Sequence, residues 1–183
     1  MKPVFGKLKN AVAAFDAGDY QIAFRLFKPL AEQRVTEAQA GLAFFYFQGK
    51  GVPEDDAKAD YLYRKAAERG HVEAQIELGD MYDEGKGIPE DDAKAVHWYR
   101  KAAEQGYARA QQQLGWSYLL GKGVPEDNLQ AYAWMSIAAA QGSESAMNSR
   151  GTIKGSMTPA QIAEAQKLSS ELWEKYVMPF QKD

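Results

Sequence analysis

The stretch AQIELGDMYDEGKGIPEDDAKAVHWYRKAAEQG, residues 74–106, decides the fold of this chain. Ala74, Leu78 and Tyr82 recur at i, i+4 and i+8, which is the spacing of one face of an α-helix. The Gly-Lys-Gly-Ile-Pro segment that follows interrupts this helix, because glycine favours turns and proline cannot continue a helix. A second apolar pattern at helical spacing then runs to Gly106, where a glycine commonly ends a helix. The stretch therefore predicts two antiparallel helices joined by a glycine-rich loop.

The same pattern occurs three times at a fixed period of 36 residues, since 74 − 38 = 36 and 110 − 74 = 36 for Ala38, Ala74 and Ala110. The period is shared by further triplets: Gln39, Gln75 and Gln111; Tyr46, Tyr82 and Tyr118; Gly49, Gly85 and Gly121; Pro53, Pro89 and Pro125; Asp55, Asp91 and Asp127; Gly70, Gly106 and Gly142. Self-similarity at this period is the signature of a solenoid, in which each unit buries its apolar face against its neighbours.

The flanking segments are modified copies of this unit. The N-terminal segment predicts a helix-turn-helix without the long glycine loop, and Ala146 keeps the period at the other end (146 − 110 = 36). A last helix should begin at Thr158, a good N-cap, and run to about Tyr176. Its expected buried stripe is Ile162, Ala165, Leu168, Leu172 and Trp173. We therefore divide the chain into a helical pair (1–35), three repeats (36–71, 72–107 and 108–143) and a degenerate terminal repeat with a capping helix (144–183).

Composition narrows the function classes. The net charge is −3, and the basic residues are interleaved with acidic ones. The sequence therefore lacks the clustered positive charge that is typical of nucleic-acid-binding proteins. The absence of cysteine excludes a disulfide framework, thiolate catalysis and Cys-ligated zinc. The longest apolar run near the N-terminus, residues 11–15, is too short for a signal-peptide core or a membrane span. By default we expect a cytoplasmic protein, and a periplasmic or secreted one if a signal peptide was removed.

The repeated residues resemble the Sel1-like repeat (SLR) of the tetratricopeptide superfamily. The matching pattern is Ala-x-x-x-Leu-Gly-x-x-Tyr, then Gly-x-Gly-Val-Pro-x-Asp, then Ala-x-x-Trp-Tyr-x-Lys-Ala-Ala-x-x-Gly, and residues 74–106 fit it almost position for position. The third copy drifts to Ala-Tyr-Ala-Trp-Met at residues 131–135. The Met-Thr-Pro-x-Gln segment at residues 157–161 resembles an ending common in bacterial Sel1-like proteins, and residues 1–35 resemble an ordinary tetratricopeptide (TPR-like) unit.

This resemblance implies an all-α fold, an α-α superhelix of stacked helix-turn-helix repeats with about ten helices and a right-handed curvature. It also implies a role as an adaptor or scaffold. Some cysteine-rich relatives bind or hydrolyse β-lactams, but this chain has neither cysteine nor a Ser-x-x-Lys motif. We therefore do not carry that activity over.

The chemical candidates in the sequence have structural interpretations. The acidic clusters at 54–56 and 90–92 recur at the period, which favours helix capping over a catalytic pair or a metal site. The Gly-Lys-Gly tripeptides lack the spacing of a P-loop. His71 and His97 have no ligand-spaced partner, and no nucleophile–base pair stands out. We expect no catalytic residues, no metal and no cofactor.

A partner-binding surface is predicted on the first helix of each repeat, on the face that points away from the core stripe. In tetratricopeptide-like stacking this face lines the concave groove. Phe44, Asp80 and Trp116 occupy one repeat position. An aromatic ring on a surface expected to face solvent indicates a partner-binding site, unless neighbouring repeats or the final helix cover the ring. The hypothetical site comprises Phe44, Phe47, Glu73, Glu77, Asp80, Asp83, Glu84, Arg109, Gln112, Gln113, Trp116 and Leu120.

The leading function is a protein–protein interaction module that binds a peptide or helix with apolar ends and a basic centre. One alternative is a small-molecule or envelope-polymer binding enzyme of hydrolase type, for which substrate turnover would be the evidence. Another is a structural protein that self-assembles through its solenoid ends, for which a concentration-dependent mass would be the evidence. We favour a monomer that binds another protein, with no nucleic-acid partner.

Overall fold

The computed structural model describes residues 2–180, and this part of the chain is helical with no strand. Ten α-helices and a final 3-10 turn follow one another: α1 (Lys2–Asp16), α2 (Tyr20–Glu32), α3 (Thr36–Gln48), α4 (Asp56–Ala67), α5 (Val72–Glu84), α6 (Asp92–Ala103), α7 (Ala108–Leu120), α8 (Asn128–Ala140), α9 (Glu144–Gly155), α10 (Pro159–Tyr176) and the turn Met178–Phe180. The all-α repeat fold predicted from the sequence is confirmed. No helix within residues 2–180 is long and apolar enough to cross a membrane.

The chain divides into two compact units, residues 1–90 and 91–183. In the first unit, α1 to α5 each pack on the next helix in the chain, as expected for stacked helical pairs. In the second unit, α6, α7 and α8 follow the same rule, but α9 and α10 both pack on α8. The last helix therefore covers a side of α8 instead of adding another layer to the stack.

Aspartates start the second helix of each repeat. The Asp55 and Asp91 carboxylates accept hydrogen bonds from the backbone N–H groups of Lys58 and Lys94, each at 3.0 Å. Asp127 accepts from Leu129 at 2.9 Å and from Gln130 at 3.0 Å. Side-chain and backbone hydrogen bonds from Lys58 lower the pKa of the Asp55 carboxyl, and Lys94 does the same for Asp91. The capping interpretation of the acidic clusters is thus confirmed.

Glycine-rich loops join the two helices of each repeat and lie close to an earlier helix. Gly123 has φ +68°, and a Cβ added there would overlap the Asp92 carbonyl at the start of α6. Gly87, with φ +73°, lies equally close to Asp56 at the start of α4. Both contacts span 31 residues (123 − 92 and 87 − 56). Only glycine meets both demands, a left-handed backbone and no side chain.

Buried glutamines tie the start of each first helix to the preceding helix. Gln75 donates its side-chain amide to the Ala67 carbonyl at 3.0 Å, and Gln111 donates to Ala103 at 3.2 Å. The Gln111 amide oxygen also accepts a hydrogen bond from the Gln141 amide at 2.7 Å. A buried amide is tolerated when its groups find such partners.

The periodic aromatics Tyr82 and Trp134 are buried in the core, and the hydroxyls of Tyr82 and Tyr118 accept hydrogen bonds from arginines. Tyr82 is 5% exposed, and its hydroxyl accepts a hydrogen bond from Arg64 at 3.0 Å. Tyr118 is half-buried and accepts from Arg100 at 2.8 Å, the same contact one repeat later. Trp134 is buried and stacks on Tyr176 of α10, with ring centroids 5.8 Å apart.

The C-terminal helix begins as predicted but is less buried than predicted. Thr158 and Gln161 form the expected capping box. Of the predicted buried stripe only Ala165 is fully buried, while the other four side chains are half-buried: Ile162, Leu168, Leu172 and Trp173. The prediction was too strong because α10 packs mainly on one helix, α8. A helix with a single main neighbour keeps part of its apolar surface in water.

Gly115 on α7 lets α8 approach closely. A Cβ at this position would lie 3.0 Å from the Met135 Cγ atom and 3.2 Å from its Sδ atom. We expect Gly115→Leu to destabilise the fold by roughly 1–3 kcal/mol, because the larger side chain overpacks this contact. Gly115→Ala should cost less, since the flexible Met135 side chain can shift. Denaturant unfolding measures both variants, and an unchanged free energy for Gly115→Leu would contradict the packing.

A second prediction separates loop packing from backbone strain. Gly142 has φ +98° and nothing within 4 Å of a Cβ, so Gly142→Ala should cost only the left-handed strain, about 1–2 kcal/mol. Gly123→Ala should cost about 1–3 kcal/mol more, because its Cβ also overlaps the backbone of α6. Denaturant unfolding of the two variants compares them directly. Equal losses would show that the loop can move away from α6 at no cost.

Candidate functional site

Helix α5 is rich in acidic residues. Its thirteen residues, Val72–Glu84, include five acids and neither lysine nor arginine. The acids are Glu73, Glu77, Asp80, Asp83 and Glu84, all predicted members of the partner-binding surface. Glu73 and Glu84 are exposed, and the other three are half-buried. The structure therefore brings the acidic part of the predicted site together on one helix, and each of these residues is at least partly exposed.

Repulsion between these like charges lowers the intrinsic stability of the α5 helix. Glu73 and Glu77 are an i, i+4 pair of like charge, as are Asp80 and Glu84, and such pairs destabilise a helix by a few tenths of a kcal/mol each. Asp83 and Glu84 also lie in the last turn of α5, where the helix dipole favours cations.

The N-terminal end of α5 has a structural explanation that the sequence did not reveal. His71 is the N-cap, and its Nδ1 atom accepts a hydrogen bond from the backbone N–H of Ala74 at 3.2 Å. Glu73 lies 3.5 Å from the same ring nitrogen. Histidine is an uncommon N-cap, so spacing alone gave no signal for this role. His71 is therefore a capping residue, consistent with a packing role rather than a catalytic one.

Glu77 also faces a buried phenol. Tyr63 on α4 is 2% exposed, and its pKa is raised mainly by burial and to a lesser extent by the charge of Glu77. The Tyr63 phenol stays neutral under ordinary conditions and serves as a packing group. Its ring lies edge-on to Phe47, with centroids 6.2 Å apart.

The aromatic members of the predicted site in the first unit are largely covered. Phe47 is 8% exposed and has the Lys86 ammonium 4.0 Å from its ring centroid, so it belongs to the core and presents almost no surface to a partner. Phe44 is half-buried, because Phe15 of α1 packs edge-on against it at 5.4 Å and Lys50 lies over its ring. The sequence could not show that the N-terminal helix covers this position.

In the second unit, two of the predicted site residues on α7 form hydrogen bonds within the chain. The Gln112 amide oxygen accepts a hydrogen bond from the Ser143 hydroxyl at 2.6 Å, and its amide nitrogen donates to Ser145. Gln113 donates to the Tyr99 hydroxyl at 3.4 Å. These two glutamines therefore hold neighbouring elements in addition to facing outward.

The remaining α7 members differ in exposure. Trp116 is half-buried and packs against the apolar cluster that contains Ala131, Met135 and Ala165. Leu120 is 61% exposed and Arg109 is exposed. This face of α7 thus offers a partner an exposed leucine beside part of a tryptophan ring, without the negative charge of α5.

No group of three or more His, Asp or Glu residues within residues 2–180 could hold a metal ion. His97 lies on α6 with its ring 5.0 Å from that of Trp98, and burial together with Lys101 lowers its pKa. The Gly-Lys-Gly tripeptides form the close loops described above, which confirms their interpretation as turns.

Comparison with known proteins gives one family. The Sel1 repeat model matches residues 16–35, 36–71, 72–107 and 108–143, together more than half of the chain. None of the curated proteins compared with the chain matches it.

Three solved structures show what this fold is similar to. A protective antigen present in uropathogenic Escherichia coli strains, which displays an SLR fold, is 36% identical with a TM-score of 0.78, over 86% of this chain and 34% of that one. A Sel1 repeat protein from Oxalobacter formigenes is 27% identical with a TM-score of 0.77, over 92% and 77%. Cysteine rich protein B from Helicobacter pylori is 25% identical with a TM-score of 0.53, over 77% and 95%. The chain thus spans about a third of the Escherichia coli relative.

The charge argument on α5 predicts a stabilising substitution. Glu84→Gln keeps the helix propensity but removes one like-charge pair and one acid from the last turn. We expect a gain of about 0.3–0.5 kcal/mol at low ionic strength, most of which disappears at high salt. Thermal melts at both salt concentrations measure it, with Glu164→Gln on α10 as the control that should bring no gain. A loss of stability in the α5 variant would show that Glu84 is held by favourable contacts.

Proposed function

The chain belongs to the Sel1 repeat family, and on that premise we propose that it binds a partner protein through the acidic face of α5. Sel1 repeats are commonly protein-interaction modules, and their solenoid fold is typically non-catalytic. The partner we propose presents a basic segment, as a helix or an extended peptide.

The observation that carries this proposal is the charge of α5. Five carboxylates, with no lysine or arginine among the same thirteen residues, make α5 the acidic element to which a cationic segment would be steered. The like-charge pairs and the acids in the last turn act against folding, so their presence is more readily understood as a binding surface than as a stabilising one. Each acid remains at least partly accessible.

Apolar contacts would add affinity at one end of such a partner. In the first unit the half-buried Phe44 offers a limited apolar surface for this, because Phe15 already packs against its ring. We therefore assign the main contribution to the carboxylates of α5.

The test compares three forms of the full chain in affinity capture from native lysate. The first is the unchanged protein, and the second is Glu73→Gln/Asp80→Asn/Glu84→Gln on α5. The third is Glu37→Gln/Glu164→Gln/Glu174→Gln, which removes the same charge from exposed sites elsewhere. We expect one protein to be captured by the first and third forms and to be lost with the second. Matched thermal melts confirm that all three are folded.

Affinity for the captured protein then decides the mechanism. Three charge contacts at exposed or half-buried side chains, worth about 0.2–1 kcal/mol each, predict a Kd at least about threefold higher for the α5 variant and a steep fall in affinity with salt. Measured by calorimetry, an equal Kd for all three forms would move the site away from α5. Turnover of a small molecule or a concentration-dependent mass would favour the hydrolase or the self-assembly alternative.

A further inference from the structure

A pocket of about 550 Å³ lies in the first unit, lined by residues of α2, α3, α4 and the turns that follow α2 and α4. This volume falls in the range of small-ligand sites. Buried Ala31 and Leu42 and half-buried Leu62 supply its apolar lining. Its charged lining is Lys28, Arg34, Lys65 and Arg69 against Glu32 and Glu68, an excess of two positive charges (4 − 2 = 2).

Gln39 lines this pocket and has an unsatisfied oxygen. Its side chain is 7% exposed, and its Oε1 atom is buried with no hydrogen-bond partner among residues 2–180. The equivalent Gln111 oxygen, two repeats later, accepts from the Gln141 amide at 2.7 Å. An orphaned amide oxygen in a protein interior is uncommon and calls for a donor.

The missing donor can be traced to one position of the repeat. Gln141 lies 30 residues after Gln111, and the residue 30 after Gln39 is Arg69. The Arg69 guanidinium donates instead to the backbone carbonyl of Arg34, with Nη1 and the oxygen 2.5 Å apart. In the first repeat, the position that would supply an amide to Gln39 is therefore occupied by an arginine, whose guanidinium makes a solvent-exposed hydrogen bond to another residue of the pocket lining.

Arg34 itself occupies a position where the three following repeats have glycine. Its φ is +62°, and Gly70, Gly106 and Gly142 have φ between +89° and +98°. A left-handed backbone is unfavourable for a residue with a side chain. Such strain persists where the surroundings enforce it and is concentrated at functional sites. The arginine side chain must therefore contribute something here that glycine cannot.

We propose that this pocket binds the C-terminal end of a peptide chain. The terminal carboxylate fits the forked donors of Arg34 and Arg69, which pair with planar oxyanions. A backbone N–H of the peptide would give Gln39 the donor that it lacks. An apolar last side chain would pack on Leu42 and Leu62. The Arg69 side chain must leave the Arg34 carbonyl for this, which is feasible because their hydrogen bond is solvent-exposed.

The combination of groups distinguishes this ligand from a plain anion. A phosphate monoester lacks an N–H for the Gln39 oxygen, and its second negative charge would lie among the carboxylates of Glu32 and Glu68. A peptide end carries one negative charge next to an N–H donor. The site is independent of the proposed function, which concerns a basic partner on α5, and the two can fail separately.

The test follows the amide resonances of the ¹⁵N-labelled full chain, in particular the Gln39 side-chain amide. The probe is a pool of N-acetylated tetrapeptides randomised at all positions, used once with free C-terminal carboxylates and once as carboxamides. We expect saturable shifts of the Gln39 amide with the free acids and at least about tenfold weaker binding of the carboxamides, as for the loss of a charge-assisted hydrogen bond. Equal shifts with both pools, or none with either, would overturn the proposal.

Two variants test the residues that build the pocket. Arg69→Gln should give Gln39 the partner that Gln111 has, and Arg34→Gly should relieve the left-handed strain. We expect each to weaken binding of the free acids at least about tenfold while the melting temperature stays the same or rises. Lys167→Gln removes one exposed charge in the other unit and should bind like the unchanged chain.

Inorganic phosphate at the same concentration is the remaining probe. We expect it to leave the Gln39 amide unshifted, and shifts as large as those from the free acids would identify a general anion site and contradict the peptide assignment. Unchanged affinity in both arginine variants would also contradict it. If a variant fails to fold, the comparison of free acids with carboxamides on the unchanged chain still tests whether the pocket binds a peptide C-terminus.

Discussion

The close approach of each glycine loop to the start of an earlier helix is the constraint on which the repeat depends. Gly87 lies against Asp56 and Gly123 against Asp92, at the same separation of 31 residues, and neither position has room for a Cβ. The contact fixes where the loop lies, and the loop leads into the aspartate that caps the next helix, Asp91 or Asp127. Helix starts, loop conformation and the 36-residue period are thus set by one packing requirement, which explains why the glycines and aspartates recur together.

The sequence predicted the fold well because its signals are local and repeated. Helix starts at Asp91 and Thr158 follow from capping chemistry, and the periodic glycines mark loops without reference to the rest of the chain. The candidate site was predicted less well, because exposure depends on neighbours that periodicity does not specify. Phe44 and Phe47 were expected to meet a partner, yet α1 covers part of the first and Tyr63 packs on the second. The acidic residues of α5 are at least partly exposed, as expected because burying several carboxylates on one helix face is costly.

Carboxylates in this chain act in two physically different ways. Asp55 and Asp91 accept backbone and lysine hydrogen bonds, which lower the pKa of their carboxyls, so both stabilise the helices that they begin. The acids at the end of α5 lie where the helix dipole opposes them and where their neighbours carry the same charge. Periodicity separates the two groups: the capping aspartates occur in every repeat, whereas Asp80 stands where the other copies have Phe44 and Trp116.

This contrast gives a general way to distinguish scaffold from function in a repeat protein. Residues that keep the period answer a requirement that every unit shares, and their role follows from any one copy. Residues that depart from the period occur in one unit only. A requirement shared by all units therefore does not explain them, and a stabilising role has to be demonstrated for each one. Arg34 breaks the period with a strained backbone and Arg69 breaks it by leaving Gln39 without a donor. The acids of α5 also depart from the period, and the two in its last turn lie where the helix dipole is unfavourable for a negative charge. In each case the departure works against the stability of the unit that contains it, which is the pattern expected where a surface is retained for binding.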